Sequence, residues 1–172
     1  MFQKILVAID RSDVSRQAFE QAIELAKKLD AQMMLVHVIS PFNPGYPNPV
    51  FPGTDGIYPG GYTEAMETFR QEWDMVERNG NDLLQTWTKE AIEAGVKTES
   101  TQPMGDPGRA VCLLAEHWQA DLIMLGRHGR KGLSELFFGS VSNFVMHHAP
   151  CSVLTVSMSR SAGVEAESLG MS

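Results

Sequence analysis

The chain has 172 residues, 43% of them hydrophobic and 20% charged, the make-up of one ordinary globular domain that needs no disulfide or metal staple. Lysine and arginine number 14 against 21 aspartates and glutamates, a formal charge of −7, which disfavours nucleic acid as the main partner. No apolar run approaches the roughly 20 residues of a membrane span and no signal peptide opens the chain, so neither membrane insertion nor secretion is expected.

Ile5-Leu6-Val7-Ala8-Ile9 is a continuous apolar run between Lys4 and Asp10, as a central strand covered on both faces requires. From Val14 to Leu29, residues Ala18, Ala22, Ala26 and Leu29 share one stripe with Phe19 and Ile23 beside it. That is a helical period, and Ser12 and Asp13 can cap its start. Met33–Ile39 is a second buried strand. Pro41–Gly61 holds six of the nine prolines and five of the fifteen glycines, with Tyr46, Phe51 and Tyr58 among them, a composition that resists regular structure. Glu64–Glu93 then places Met66, Phe69, Trp73, Val76, Leu83, Leu84, Trp87 and Ala91 at helical spacing. Core packing is favoured over a partner groove for this stripe, and Asn79-Gly80-Asn81 leaves open one kinked helix or two shorter ones.

Val96–Thr101 alternates polar and short side chains and is placed at a sheet edge. Asp106 and Pro107 open a helix with Val111, Leu114, Ala115 and Trp118 inward. Leu122–Leu125 is a third buried run, ending at Gly126. A short helix from about Ser140 stops near His148, before Pro150, and Ser152–Val156 is the last strand. Strands separated by helical crossovers imply right-handed βαβ units. The fold class is therefore α/β, a Rossmann-like open parallel sheet of five strands with helices on both faces. Residues 1–157 form the domain, with 41–62 as a Pro/Gly-rich insertion and 158–172 as a small, polar tail expected to be disordered.

The chemistry concentrates in Gly126-Arg127-His128-Gly129-Arg130-Lys131-Gly132, running on to Phe138-Gly139-Ser140-Val141-Ser142. Gly126 and Gly129 permit positive φ and close approach of a ligand to the backbone. Successive amides there can hold an anion, and Gly139 opens a helix whose unpaired N–H groups and positive dipole end favour phosphate. Ser140 and Ser142 add hydroxyl donors. Arg127, Arg130 and Lys131 make the loop basic within an acidic chain, which points to a small anion rather than a polymer. The GxGxxG fingerprint and the GxxxxGK[ST] phosphate loop are both absent, since the turn after the first strand reads Asp10-Arg11-Ser12-Asp13. His147, His148 and Cys151 lack a fourth ligand at a strong spacing, so zinc is not expected. His37 reads as a satisfied core or rim histidine, His128 as an exposed loop residue, and Cys112 and Cys151 as reduced packing thiols in a cytosolic protein. No GxSxG elbow is present.

Gly126-x2-Gly129-x9-Gly139-Ser140 resembles the ATP-binding signature of the universal stress protein family. The resemblance runs from Met1 to about Ser157 and takes in the KILVAID-type opening strand and the SVLTV-type closing strand. It implies a sheet in the order 3-2-1-4-5, a homodimer and a cytoplasmic location. It also implies a nucleotide site made of Ala8, Asp10, Val38, Gly126, Arg127, Gly129, Gly139, Ser140, Val141 and Ser142. In that site Asp10 would face ribose or phosphates through a divalent ion, the backbone near Val38 would recognise adenine, and Gly139–Ser142 would hold the phosphates. A carboxylate beside a triphosphate is repulsive unless a cation lies between them, so Mg²⁺ or Mn²⁺ is expected with ATP. For Asp10 a plain helix-capping turn stays open.

The uncharged, proline-free strand Ser152–Val156 is expected to pair across a two-fold axis, with an edge covered by the tail as the alternative. The leading reading is an ATP-binding stress-response regulatory protein. No general base or arginine finger is placed, so any hydrolysis is expected to be slow. A slow ATPase of the same fold and a nucleotide-free protein-binding scaffold are the alternatives.

Overall fold

The structure, a computed structural model, describes residues 1–41, 47, 59–127 and 139–158, with 59–62 described by backbone alone. Strands and helices alternate as β1 (Lys4–Ala8), α1 (Asp13–Leu29), β2 (Gln32–Val36), α2 (Pro59–Glu93), β3 (Thr98–Thr101), α3 (Pro107–Trp118), β4 (Leu122–Arg127), α4 (Ser140–His148) and β5 (Ser152–Ser157). Every strand pairing is parallel and the order is β3-β2-β1-β4-β5. The Rossmann-like sheet expected from the sequence is therefore present, in the expected order. Tyr46, Phe51, Tyr58, the loop 128–138 and the tail 159–172 lie outside the described residues.

Alternation along β1 explains why its whole run is apolar. Ile5 and Val7 turn into the layer built by α1 and α2, while Leu6 turns into the layer built by α3 and α4, and all three are wholly buried. On α1 the small residues Ala18, Ala22 and Ala26 are buried and let the helix lie close to the sheet. The Ser12 side chain caps α1 by accepting from the Ser15 amide. Between α3 and α4 the approach is tighter still. A Cβ on Gly108 would stand 2.7 Å from the Phe144 ring, so glycine there sets how near α4 sits.

α2 is one continuous helix, which resolves the open choice at Asn79-Gly80-Asn81. It starts at Pro59 and so takes in the last residues of the segment expected to resist regular structure. Proline is well placed at a first helical position, where its missing N–H leaves no bond unmade. Leu84, Trp87 and Ala91 are buried as expected, but from Thr63 to Asn79 no residue is. Ala65, Phe69, Trp73 and Val76 form a half-buried stripe there, so core packing accounts for the second half of the helix and not the first.

Small shifts of strand bounds follow from pairing. Gln32 enters β2, while Ile39 leaves it to form an isolated bridge with Met104. β3 is an edge strand as expected, and it carries Glu99.

The start of β4 is tied to the start of β1 by Asp121, whose Oδ2 accepts from the amides of Gln3 (2.7 Å) and Lys4 (2.9 Å). These two donors hold its carboxyl below the ordinary carboxylate range. A carboxylate that binds protons less readily when folded stabilises the fold above its unfolded pKa, and the gain is lost as pH falls through the native value. Asp121→Ala is therefore expected to cost about 1 kcal/mol at neutral pH. The difference from the unaltered protein should vanish as the pH is taken well below about 4, which urea melts across that range would measure.

Candidate functional site

The chain leaves β1 toward β2 on one side and meets β4 on the other, so a crevice opens at the carboxyl ends of β1 and β4. A cleft of about 290 Å³ occupies it. Ala8, Ile9 and Asp10 line it from the end of β1, and Leu125 and Gly126 from β4. Val36, His37, Val38 and Ser40 line it from the end of β2, with Pro107 and Val111 from α3. Gly139, Ser140, Val141 and Ser142 close it with the first turn of α4. Volume and placement suit a small molecule.

The start of α4 sets the electrostatics. Its N-cap is Gly139, which has no side chain to cap the first amides, and the positive end of the helix dipole faces the cleft lining. Ser142 is buried, and its hydroxyl donates to the Gly139 carbonyl at 3.0 Å. Gly139 itself has φ −56°, and among the described residues a Cβ there would meet nothing nearer than Ser142 Oγ at 3.6 Å. Packing against the described residues does not require glycine at this position.

Gly126 answers to a different cause from the one expected. It lies in β4 without a positive φ, and a Cβ on it would stand 2.9 Å from both the Ser15 amide nitrogen and the Val14 carbonyl carbon. Its missing side chain makes room for the first turn of α1. Asp10 lines the cleft, and it also organises the turn into α1, the second of the roles expected for it. Its Oδ1 accepts from the Ser12 amide at 2.8 Å and from the Ser12 hydroxyl, while its own amide donates to Ser15 Oγ at 2.8 Å.

Of the residues expected in the site, Ala8, Asp10, Val38, Gly126, Gly139, Ser140, Val141 and Ser142 therefore meet around one cleft. Arg127 ends β4, half-buried, and is not among the lining residues. Gly129 lies outside the described residues. Ser12, Ser15, His37, Ser40 and Pro107 also line the cleft and were not foreseen there. The i, i+3 serines at a helix start were a usable signal for the first two.

His37 does sit at a rim, and the Gln102 side chain is the one group positioned to satisfy its buried Nδ1, which has no other hydrogen-bond partner among the described residues. Burial holds its imidazole below the ordinary value. Among the described residues no group of three His, Cys, Asp or Glu could hold a metal ion. His148 instead stacks on Phe144 at 4.1 Å and donates from Nδ1 to the Phe144 carbonyl at 2.9 Å. Cys112 and Cys151 are free thiols, pushed above their ordinary pKa by burial. No helix among the described residues is long and apolar enough to cross a membrane.

The family model of the universal stress proteins matches residues 1–157. The chain belongs to the universal stress protein family. Universal stress protein Sll1388 of Synechocystis sp. is 39% identical over 159 residues, covering 90% of this chain and 97% of the relative. Three solved structures share the fold. Hypothetical protein MJ0577 matches with a TM-score of 0.72 at 22% identity, over 94% of this chain and 99% of that one. A universal stress protein in complex with cAMP matches with a TM-score of 0.60 at 22% identity, over 92% and 98% of the two chains. A universal stress protein family protein from Arabidopsis thaliana with AMP bound matches with a TM-score of 0.58 at 22% identity, over 92% and 93%. At such identities these likenesses establish the universal stress protein fold and nothing finer.

Proposed function

We propose that this universal stress protein is an ATP-binding regulatory protein of the cytoplasm, with the nucleotide in the cleft between β1, β4 and α4. The observation that carries the reading is the uncapped first turn of α4 at the point where the sheet order reverses, an anion site that the protein leaves to a ligand. The family members solved with AMP and with cAMP support adenine nucleotides as the class. In this reading the backbone of Val38 meets the base and Arg127 reaches toward the phosphates, while Gly129 is assigned to the phosphates from the sequence motif alone. Asp10 is the one carboxylate among the described residues of the cleft, and it suits an Mg²⁺ or Mn²⁺ ion that arrives on a triphosphate and keeps most of its ligands from phosphate and water. Bound there, the ion would screen the phosphates from Asp10. The protein is a binder rather than a catalyst in this reading, with at most slow hydrolysis.

Denaturing the purified protein and separating what is released identifies the ligand. ATP is the expected release; AMP or cyclic AMP would keep the cleft and change the ligand, and no release with no thermal shift on adding ATP and Mg²⁺ would overturn the reading. Gly139→Ser gives the proposal a signed test. A serine at the N-cap accepts from the amides of α4, so folding stability should rise by a few tenths of a kcal/mol. The same bond competes with phosphate, so the ATP-induced thermal shift should shrink.

The reading includes a homodimer. β5 is the edge opposite β3, and it differs from β3 in carrying no charge, with Leu154 left 41% exposed. Leu154→Arg is expected to turn a dimer into a monomer in light scattering, and a dimer that survives the charge would remove pairing through this strand.

A further inference from the structure

His37 lines the cleft at the end of β2, and strand register chooses its neighbour. Val36 pairs with Thr101, and the His37 amide donates to the Thr101 carbonyl at 3.3 Å, so the next residues along, His37 and Gln102, stand side by side. α2 approaches them at Gly80, where a Cβ would lie 2.1 Å from Gln102 Oε1 and 2.7 Å from His37 Nδ1. Both atoms are sealed from solvent, and neither has a hydrogen-bond partner apart from the other. Adjacent buried orphans call for a physical cause, since each forfeits its bond to water.

Glu77 decides which way the Gln102 amide faces. Gln102 Nε2 donates to the Glu77 carbonyl at 3.1 Å, and turning the amide over would set two acceptor oxygens against each other. Oε1 is thereby left toward Nδ1. A bare lone pair on Nδ1 would repel that oxygen, whereas an Nδ1–H aims a donor at it. The neutral ring then carries its proton on Nδ1 and none on Nε2. With Nδ1 turned toward Gly80 and Gln102, the ring edge left to the cleft is the one that bears Nε2.

We propose that His37, locked as the Nδ1–H tautomer by Gln102, presents Nε2 to the cleft as an acceptor that selects nucleotides with a hydrogen-bond donor at that point. The donor is the ribose 2′-hydroxyl or the exocyclic amine of adenine. The selection rests on the nucleotide reading above, whereas the tautomer does not depend on it.

Long-range ¹⁵N–¹H spectra of the ¹⁵N-histidine-labelled full chain at pH 8, without ligand, read the tautomer directly. His37, assigned by the signals lost in His37→Ala, should show a protonated Nδ1 and a bare Nε2. Gln102→Leu should return it to the Nε2–H form. An Nε2–H ring in the unaltered protein overturns the proposal whatever the cleft binds. The second arm compares ATP, 2′-deoxy-ATP and inosine triphosphate. One analogue should bind about tenfold more weakly than ATP, the loss of one hydrogen bond. The deoxy compound would implicate the hydroxyl, and inosine triphosphate the amine. His37→Ala should bring the three within about twofold of one another. Discrimination that persists in His37→Ala, or is absent from the unaltered protein, overturns the selection. If no nucleotide binds at all, the nucleotide reading falls and the selection with it, while an Nε2–H ring beside normal ATP binding overturns the His37 proposal alone.

Discussion

Trp87→Ala is expected to lose about 3–5 kcal/mol of folding stability, the range for truncating a large buried aromatic. The indole is 7% exposed and stacks on Phe19 of α1, with ring centroids 4.8 Å apart. Above the pair lies the Arg16 guanidinium, 5.3 Å from the Phe19 ring and 5.4 Å from the Trp87 ring. That cation is fixed in turn by Glu90, with Nη1–Oε2 and Nη2–Oε1 contacts of 2.8 and 2.5 Å, and by Glu20 at 2.8 Å. Alanine at 87 would empty the space between α1 and α2 and remove one face of the cation's aromatic seat. A melting temperature lower by about 10 °C is expected for a chain of this length. Met75→Ala, 62% exposed on the same helix, should change stability by less than about 0.5 kcal/mol. A Trp87→Ala loss below about 1 kcal/mol would contradict the packing of α2 on α1 through this ring.

Gly126→Ala is expected to damage fold and site together. The added methyl meets backbone of Val14 and Ser15 at 2.9 Å, and backbone in a capped helix turn cannot swing aside as a side chain can. The first turn of α1 must move off β4, at a cost of about 1–3 kcal/mol for overpacking. That turn holds Ser12 and Ser15, which keep Asp10 in place, so the ATP-induced thermal shift should fall with the melting temperature. Gly139→Ala separates the two causes. A Cβ has room there, so melting should change by no more than about 1 kcal/mol, the price of a poorer N-cap. Equal stability losses at 126 and 139 would refute the packing role given to Gly126.

These contrasts show what the sequence could reveal. β1 and β4 were legible because a strand covered on both faces must be apolar throughout, and the α4 N-terminus because glycine followed by serines at a helix start is a local signal. The role of Gly126 was not legible, because its cause is α1, which lies over a hundred residues earlier in the chain. The place of His37 in the cleft was hidden for a similar reason. Its surroundings depend on β2–β3 register and on where a long helix passes over both, and neither leaves a mark in the residues beside it. The start of α2 was hidden by Gly60-Gly61, whose low helix propensity outweighed the proline signal at 59.

α2 is gripped near its middle and along its second half, by Arg11 on the Asn79 carbonyl at 2.8 Å, by Gln102 on the Glu77 carbonyl and by the buried face from Gly80 to Ala91. The turns from Pro59 to Arg78 run about 30 Å beyond these grips, which lie on segments next to cleft-lining Asp10 and His37. By lever geometry alone, a tilt of about 10° there would carry the Pro59 end of the helix through about 5 Å, so a small shift at Arg11 or Gln102 would be magnified along its length.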